Sequence, residues 1–282
     1  MMHQLPVIAG PCVLEEEEIV ECIAEKLLVI AQRLPIALTF KASFDKANRS
    51  SIHGFRGPGL DEGLKMLERV RQRYGLPLLT DFHTPDQADA VASVVDILQV
   101  PAFLSRQTDM IVAGTRAALR YGRRLNIKKG QFLAPWDMAA VLAKVAEVLV
   151  QEDSLRSLRD VVMLTERGAS FGYNTLVVDM ASLPLMQAQG VDVIYDITHS
   201  VQLPGAQGHA SGGRREVASA LARGAIAVGV DGVFLECHPD PIRAKSDAAT
   251  VLAFDEVETL LEQLTGLWTY LRTKDARLQR LM

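Results

Sequence analysis

Four side chains of the 282-residue chain carry the chemistry of a transition-metal site: the thiol of Cys12, the imidazole of His199 and the carboxylates of Glu236 and Asp247. A mixed sulfur, nitrogen and oxygen set suits Zn, Fe, Co or Mn without selecting among them. Each also has a plainer reading, since an isolated cysteine is most often a small buried hydrophobe. A second group is cationic: Lys41, Lys46, Arg49, Lys128, Lys129 and Arg167. Lysine offers a compact charge and arginine a two-pronged fork, both suited to phosphate or carboxylate. The run Ser211-Gly212-Gly213-Arg214-Arg215 precedes a helical pattern and could form an anion nest at a helix N-terminus. Such a glycine pair is as often a plain turn. Asp81 and His83 are candidates for moving a proton.

These residues fall at the ends of short apolar runs. Eight such runs, bounded by turn signals, predict buried parallel strands around Val7–Gly10, Ala37–Lys41, Pro77–Asp81, Ile97–Val100, Leu125–Lys128, Val161–Thr165, Val193–Asp196 and Gly232–Glu236. Helical patterns lie between them. Over 15–34, four glutamates open the pattern, where a helix dipole favours negative charge, and Ile19, Ile23 and Leu27 follow at helical spacing. Eight β/α pairs in a chain of this length predict an α/β fold, a single (β/α)8 TIM barrel domain over 1–282. In such a barrel the strand ends converge on one rim: Cys12 after strand one, then Lys41, Asp81 with His83, Gln99, Lys128 with Lys129, Arg167, His199 and Glu236. The longest loops follow strands two, six, seven and eight, on that same rim. The charged segment 152–160 precedes a strand and belongs to the opposite rim. Cys22 falls inside the first helix and reads as packing, while alternation points Cys237 away from Glu236. His3 and His53 read as solvated.

Composition bounds the rest. Apolar residues make up 49% and charged residues 23%, which excludes intrinsic disorder. The formal charge of −4 argues against nucleic acid as a partner, while leaving room for local anion pockets. No apolar run is long enough for a membrane span, and the opening Met-Met-His-Gln-Leu-Pro, without a charged n-region and an apolar h-region, predicts no secretory signal. Three cysteines without framework spacing predict free thiols in a reducing compartment, hence a cytoplasmic protein.

Several stretches together resemble one family. They are Phe40-Lys41-Ala42-Ser43-Phe44-Asp45-Lys46-Ala47-Asn48-Arg49-Ser50-Ser51, Pro101-Ala102-Phe103-Leu104 with Arg106-Gln107-Thr108-Asp109, and Asn126-Ile127-Lys128-Lys129-Gly130-Gln131-Phe132. Thr165-Glu166-Arg167-Gly168, Asp196-Ile197-Thr198-His199-Ser200 and Glu236-Cys237-His238-Pro239 complete the set. In this order and over nearly the whole chain they resemble the 3-deoxy-D-manno-octulosonate 8-phosphate (Kdo-8-phosphate) synthases, also called 2-dehydro-3-deoxyphosphooctonate aldolases.

The resemblance implies a barrel that condenses phosphoenolpyruvate with D-arabinose 5-phosphate and water, giving Kdo-8-phosphate and inorganic phosphate for lipopolysaccharide synthesis. It implies that Lys41, Lys46, Lys128 and Arg167 hold phosphoenolpyruvate and that Asn48, Arg49 and Ser50 hold arabinose 5-phosphate, with Gln99 and Ala102 also at the substrates. It implies a homotetramer in which Phe103 and Arg106 complete a neighbour's sugar-phosphate site. Family members with cysteine at the first loop depend on metal, and those with asparagine do not. Here Cys12 stands in Ala9-Gly10-Pro11-Cys12, so the resemblance implies one divalent ion per subunit (Mn, Fe, Zn, Co or Cd) on Cys12, His199, Glu236 and Asp247. Cys12, Lys41, Asn48, His199 and Asp247 would then be the catalytic residues. One departure is that Val251-Leu252-Ala253 follows the Asp247 segment where members commonly read Gln-Leu-Pro.

Three rival readings stay in view. The first is 3-deoxy-D-arabino-heptulosonate 7-phosphate synthase acting on erythrose 4-phosphate, whose second loop typically reads Lys-Pro-Arg-Thr-Ser in place of Lys-Ala-Asn-Arg-Ser. The others are a lysine Schiff-base aldolase and a non-catalytic phosphosugar-binding barrel.

Overall fold

The computed structural model describes residues 4–49, 51–205 and 212–278. Its eight parallel strands are β1 (Leu5–Gly10), β2 (Ile36–Lys41), β3 (Leu78–Asp81), β4 (Ile97–Val100), β5 (Arg124–Lys128), β6 (Val162–Glu166), β7 (Asp192–Asp196) and β8 (Gly232–Glu236). They close in chain order, with β1 bonded to both β2 and β8, so the expected (β/α)8 barrel is the fold. Each strand lies within two residues of its expected place. Around them run α1 (Glu17–Arg33), α2 (Leu60–Tyr74), α3 (Ala88–Val94), α4 (Thr108–Arg120), α5 (Met138–Gln151), α6 (Ser182–Gln187), α7 (Ala218–Val228) and α8 (Phe254–Leu278).

Period-two alternation sorts each strand into an outward and an inward set. Outward residues such as Val7, Phe40, Leu98, Ile127, Val193 and Leu235 join the main core beneath the helices. Inward residues Ile8, Leu79, Met163, Ile194 and Phe234, with Ile97 against them, fill the barrel as a separate apolar plug. Two residues further along, the inward positions become Gly10, Asp81, Thr165, Asp196, Glu236 and Gln99. The same pleat that builds the plug therefore lifts a polar layer onto its top. Gly10 is required there, because a Cβ would sit 1.9 Å from the Lys41 carbonyl oxygen.

Local signals explain the helix boundaries. Glu16 is the extended N-cap of α1, so two glutamates, Glu17 and Glu18, occupy its first turn where four were expected. Val20, Ile23, Ala24, Leu27 and Ile30 face the core. Cys22 corrects the packing expectation: it is exposed, because it lies off that buried stripe. Cys237 does turn outward into the core, as expected. The segment 152–160 ends in a Ser157 capping box, and Arg156 reaches the Arg123 carbonyl beside the start of β5, on the rim away from the loops that carry the site.

Gly212–Gly213 pairs antiparallel with Gln202–Leu203, and a short 3-10 turn over Arg215–Val217 leads directly into α7. Ser211 lies outside the described residues. At Gly213 a Cβ would come within 2.3 Å of Thr250, so glycine allows this strand to pack against the loop after β8.

Candidate active site

The loops above the polar layer enclose a cavity of about 960 Å³. Lys41, Lys46, Asn48, Arg49, Gln99, Ala102, Phe103, Lys128, Arg167, His199, Glu236 and Asp247 line it, so most of the expected site residues converge. Cys12 lies just beneath, buried. Ser50 lies outside the described residues. Arg106 is exposed and does not line the cavity of its own chain. Lys129 corrects the expectation that it joins the cationic set. As the neighbour of inward-facing Lys128 it turns outward, donating to the Leu133 carbonyl at 3.1 Å, with Glu166 Oε2 at 3.6 Å.

The thiol and carboxylates meet at one edge. The potential ligand atoms of Cys12, Glu236 and Asp247 all lie within 4.8 Å of one another, and Cys12 Sγ donates to Asp247 Oδ2 at 3.1 Å. His199 borders this trio, its Nε2 being 3.7 Å from Glu236 Oε2 and 3.8 Å from Asp247 Oδ2. Asp247 holds a left-handed φ of 53°, and its carbonyl accepts from the Thr250 and Val251 N–H groups. The Val251-Leu252-Ala253 departure leaves this loop anchored: the Leu252 N–H donates to the Glu236 carbonyl, and the Leu252 carbonyl accepts from the His238 N–H.

Asp196, which had no expected role, organises the neighbourhood. Its Oδ2 accepts from Lys128 Nζ at 2.6 Å and lies 2.8 Å from His199 Nδ1. A carboxylate at Nδ1 fixes the ring so that Nε2 faces Glu236 and Asp247. Its inward place at the end of β7, two residues beyond Ile194, is the sequence signal that could have found it.

These residues fit a metal ion on two grounds. Glu236 Oε2 is buried without a hydrogen-bond partner, while Oε1 accepts from Lys41 Nζ at 2.5 Å. The potential ligand atoms of Cys12, Glu236 and Asp247 are also close enough to share one cation, a thiol and two carboxylates being a donor set that suits a divalent transition metal.

Electrostatics follow from this crowding. Burial alone would raise the Glu236 carboxyl, yet Lys41, His199, Lys46 and Lys128 hold it well below the usual carboxylate range. Asp196 is held down likewise, by His199 and Lys128, and Asp81 by His83, Lys46 and Lys41. Burial, with Asp247 and Glu236 close by, pushes the Cys12 thiol well above its ordinary value. Burial also lowers Lys128 and Arg167, outweighing their acidic neighbours.

The anion-facing groups are held by their surroundings. Arg167 NH2 donates to Gln202 Oε1 at 2.7 Å, while the buried NH1 has no partner. A relay from Thr165 to Asn126 to Gln99, at 2.7 and 3.0 Å, occupies the Gln99 carbonyl oxygen. Lys46 donates to Ser43 Oγ at 3.1 Å. Asp81 Oδ2 lies 3.1 Å from His83 Nε2, with Asp81 Oδ1 and His83 Nδ1 both buried and unpartnered. Reading the chain by motif passed over Gln202 and Lys245, because amides and loop lysines carry no spacing signal.

Comparison with known proteins gives a consistent result. The family model described as "DAHP synthetase I family" matches residues 2–273. A protein of Syntrophotalea carbinolica named 2-dehydro-3-deoxyphosphooctonate aldolase is 51% identical over 265 residues, covering 94% of this chain and 91% of its own. Its namesake from Rhizobium meliloti is 52% identical, covering 93% and 89% respectively. The namesake from Trichlorobacter lovleyi is 51% identical, covering 93% and 92%.

Proposed function

The chain belongs to the DAHP synthetase I family, and from that premise we propose that it condenses phosphoenolpyruvate with D-arabinose 5-phosphate and water. The products are 3-deoxy-D-manno-octulosonate 8-phosphate and inorganic phosphate, a step toward the Kdo sugar of lipopolysaccharide. Relatives at about half identity over nine-tenths of the chain carry the corresponding name, and they favour this reading over erythrose 4-phosphate. The observation that carries it is one cavity whose cations come from β2, β5 and the loops after β2 and β6, bordered by the thiol and carboxylate trio.

Lys46 and Arg167 are the natural holders of the phosphoenolpyruvate carboxylate and phosphate, because Lys41 and Lys128 are already paired with Glu236 and Asp196. The unpartnered Arg167 NH1 gives a buried donor for one anionic oxygen. Asn48 and Arg49, from the loop after β2, face the sugar phosphate. Bound so, C3 of phosphoenolpyruvate forms the new bond to the sugar aldehyde carbon, and water adds at C2. One proton passes from that water to the new alkoxide, and phosphate leaves the resulting hemiketal by C–O cleavage, taking the proton of the C2 hydroxyl as the ketone forms. His83, oriented by Asp81, is placed to carry that proton. Fixed cations around two phosphate esters lower the barrier without rearranging during reaction, and holding the partners face to face supplies the entropic share.

One divalent ion per subunit, held by Cys12, His199, Glu236 and Asp247, would orient the aldehyde and the attacking water and lower that water's pKa. The site favours this reading through the His199 Nε2, turned toward Glu236 and Asp247, and the orphaned Oε2 of Glu236. A homotetramer is the expected assembly: exposed Phe103, Phe132, Trp136, Phe171 and Tyr173 stand on the loops after β4, β5 and β6, which are adjacent strands. Phe103 lines its own chain's cavity and Arg106 does not, so Arg106 rather than Phe103 is the residue left to complete a neighbour's site. No helix among the described residues is long and apolar enough to cross a membrane, and a cytoplasmic location suits the three free cysteines.

The test is phosphate release from phosphoenolpyruvate with arabinose 5-phosphate, on chelator-stripped protein and after adding Mn²⁺ or Zn²⁺. Activity restored only by metal is expected. Full activity after verified stripping removes the metal from the reaction, and turnover only with erythrose 4-phosphate replaces the substrate.

A further inference from the structure

Three loops that carry separate parts of the proposed site meet at one residue of the cavity wall to which no role has yet been given. Lys245 lies in the loop after β8, two residues before Asp247. Its N–H donates to Glu15 Oε1 at 3.0 Å, and its Nζ pairs with Glu16 Oε1. Both glutamates follow Cys12 in the loop after β1. The same ammonium lies 4.7 Å from the centre of the Phe55 ring, and the Lys245 carbonyl accepts from Arg49 NH2 at 3.2 Å. Phe55 and Arg49 belong to the loop after β2, where Arg49 also donates twice to the Phe55 carbonyl, at 2.9 and 2.8 Å. On its other side Glu15 borders His238, whose Nε2 lies 3.7 Å from Oε2.

We propose that Lys245 is a positioning residue that holds Asp247 against Cys12, and that through Arg49 it ties the metal-binding edge to the loop that takes the sugar phosphate. Asp247 sits in a left-handed conformation that a non-glycine residue adopts at a cost, so it needs neighbours that fix it. On its C-terminal side the Thr250 and Val251 N–H groups close a turn onto its carbonyl. On its N-terminal side Lys245 supplies the fixing contacts, with four partners from two other loops. A ligand held in place loses less freedom when it binds an ion, and groups that orient metal ligands typically change affinity about 10–100-fold when removed. Arg49 needs no phosphate to take part, because its bond to the Lys245 carbonyl is present in the ligand-free chain.

The inference rests on the metal reading above, and cobalt(II) titration of the chelator-stripped full chain separates the two. The near-ultraviolet thiolate-to-cobalt band reports Cys12, and the visible bands report the remaining ligands. Lys245→Ala removes the Glu16 pair and the Phe55 contact but keeps both backbone bonds, so cobalt is expected to bind about two- to tenfold more weakly, with the Cys12 band kept and the visible bands altered, while Lys245→Arg restores both. Glu16 is exposed, so Glu16→Gln carries little folding risk and should weaken binding about two- to fivefold. Arg49→Ala, measured with no phosphate compound present, should also weaken it, an effect that an arginine serving only the sugar phosphate has no route to produce. Unchanged cobalt affinity and spectra in these variants overturn the positioning role while leaving the metal site standing. Absence of a thiolate band in the unsubstituted chain overturns both.

Discussion

The two rims of this barrel use charge in opposite ways. At the rim where the strands begin, carboxylates are half-buried and satisfied: Asp96 accepts from Arg71, Arg123 and the Leu78 N–H, and Asp192 from Arg124 and Arg159. At the rim where the strands end, charges are deeper and incompletely paired. Asp81 Oδ1, Glu236 Oε2 and Arg167 NH1 are all buried without partners. Each such atom costs about 1–3 kcal/mol. Both first-rim carboxylates are paired in the free protein, and the unpartnered atom beside them, Arg124 Nε, belongs to a guanidinium already bonded through NH2 to Asp192 and the Arg159 carbonyl. At the second rim the unpartnered atoms are carboxylate oxygens and a guanidinium nitrogen on the cavity wall, and that difference marks it as the working end.

The comparison is most strongly tested at Cys12. Cys12→Ala should lower kcat/KM by more than about 100-fold, beyond what loss of a supporting residue produces, and remove bound metal measured by elemental analysis. Its unfolding midpoint should change little. Next, Arg167→Ala should cost about 10²-fold or more in kcat/KM for phosphoenolpyruvate, the scale of losing one preorganised donor. A loss of stability without a kinetic effect would make Arg167 a structural residue. At the other rim, Asp96→Asn should leave kcat/KM unchanged and destabilise by about 1–2 kcal/mol in urea unfolding. A kinetic defect there would erase the distinction between the rims.

The smallest effect concerns pH. Asp81, Asp196 and Glu236 are held below their ordinary values of 3.8, 3.8 and 4.5 in the folded chain. The stability they contribute is therefore complete above that range and lost as the pH falls below it. Thermal midpoints measured from pH 7 to pH 3 should stay level to about pH 5 and then decline. Asp81→Asn should flatten part of that decline.

Much of this was legible beforehand, for identifiable reasons. The strands were readable because parallel barrel strands are short apolar runs between turns. The convergence of Lys41, Lys128, Arg167, His199 and Glu236 followed from their places at strand ends. Lys129 was misplaced because a strand end was treated as one position, although adjacent residues point to opposite faces. Cys22 was misread because a cysteine inside a helix says nothing of which side of the stripe it occupies.

What the amino-acid sequence by itself determined is the barrel, the inventory of thiol, imidazole, carboxylate and cationic groups, and the rim on which they stand. Local periodicity and turn chemistry encode these things within a few residues of each position. Only the tertiary structure decided that Asp196 serves both Lys128 and His199, that Lys41 is committed to Glu236, and that Lys245 joins three loops. Those pairings span up to 230 residues of chain between Glu15 and Lys245. They depend on the angle at which each loop leaves its strand, which packing sets and no local pattern records.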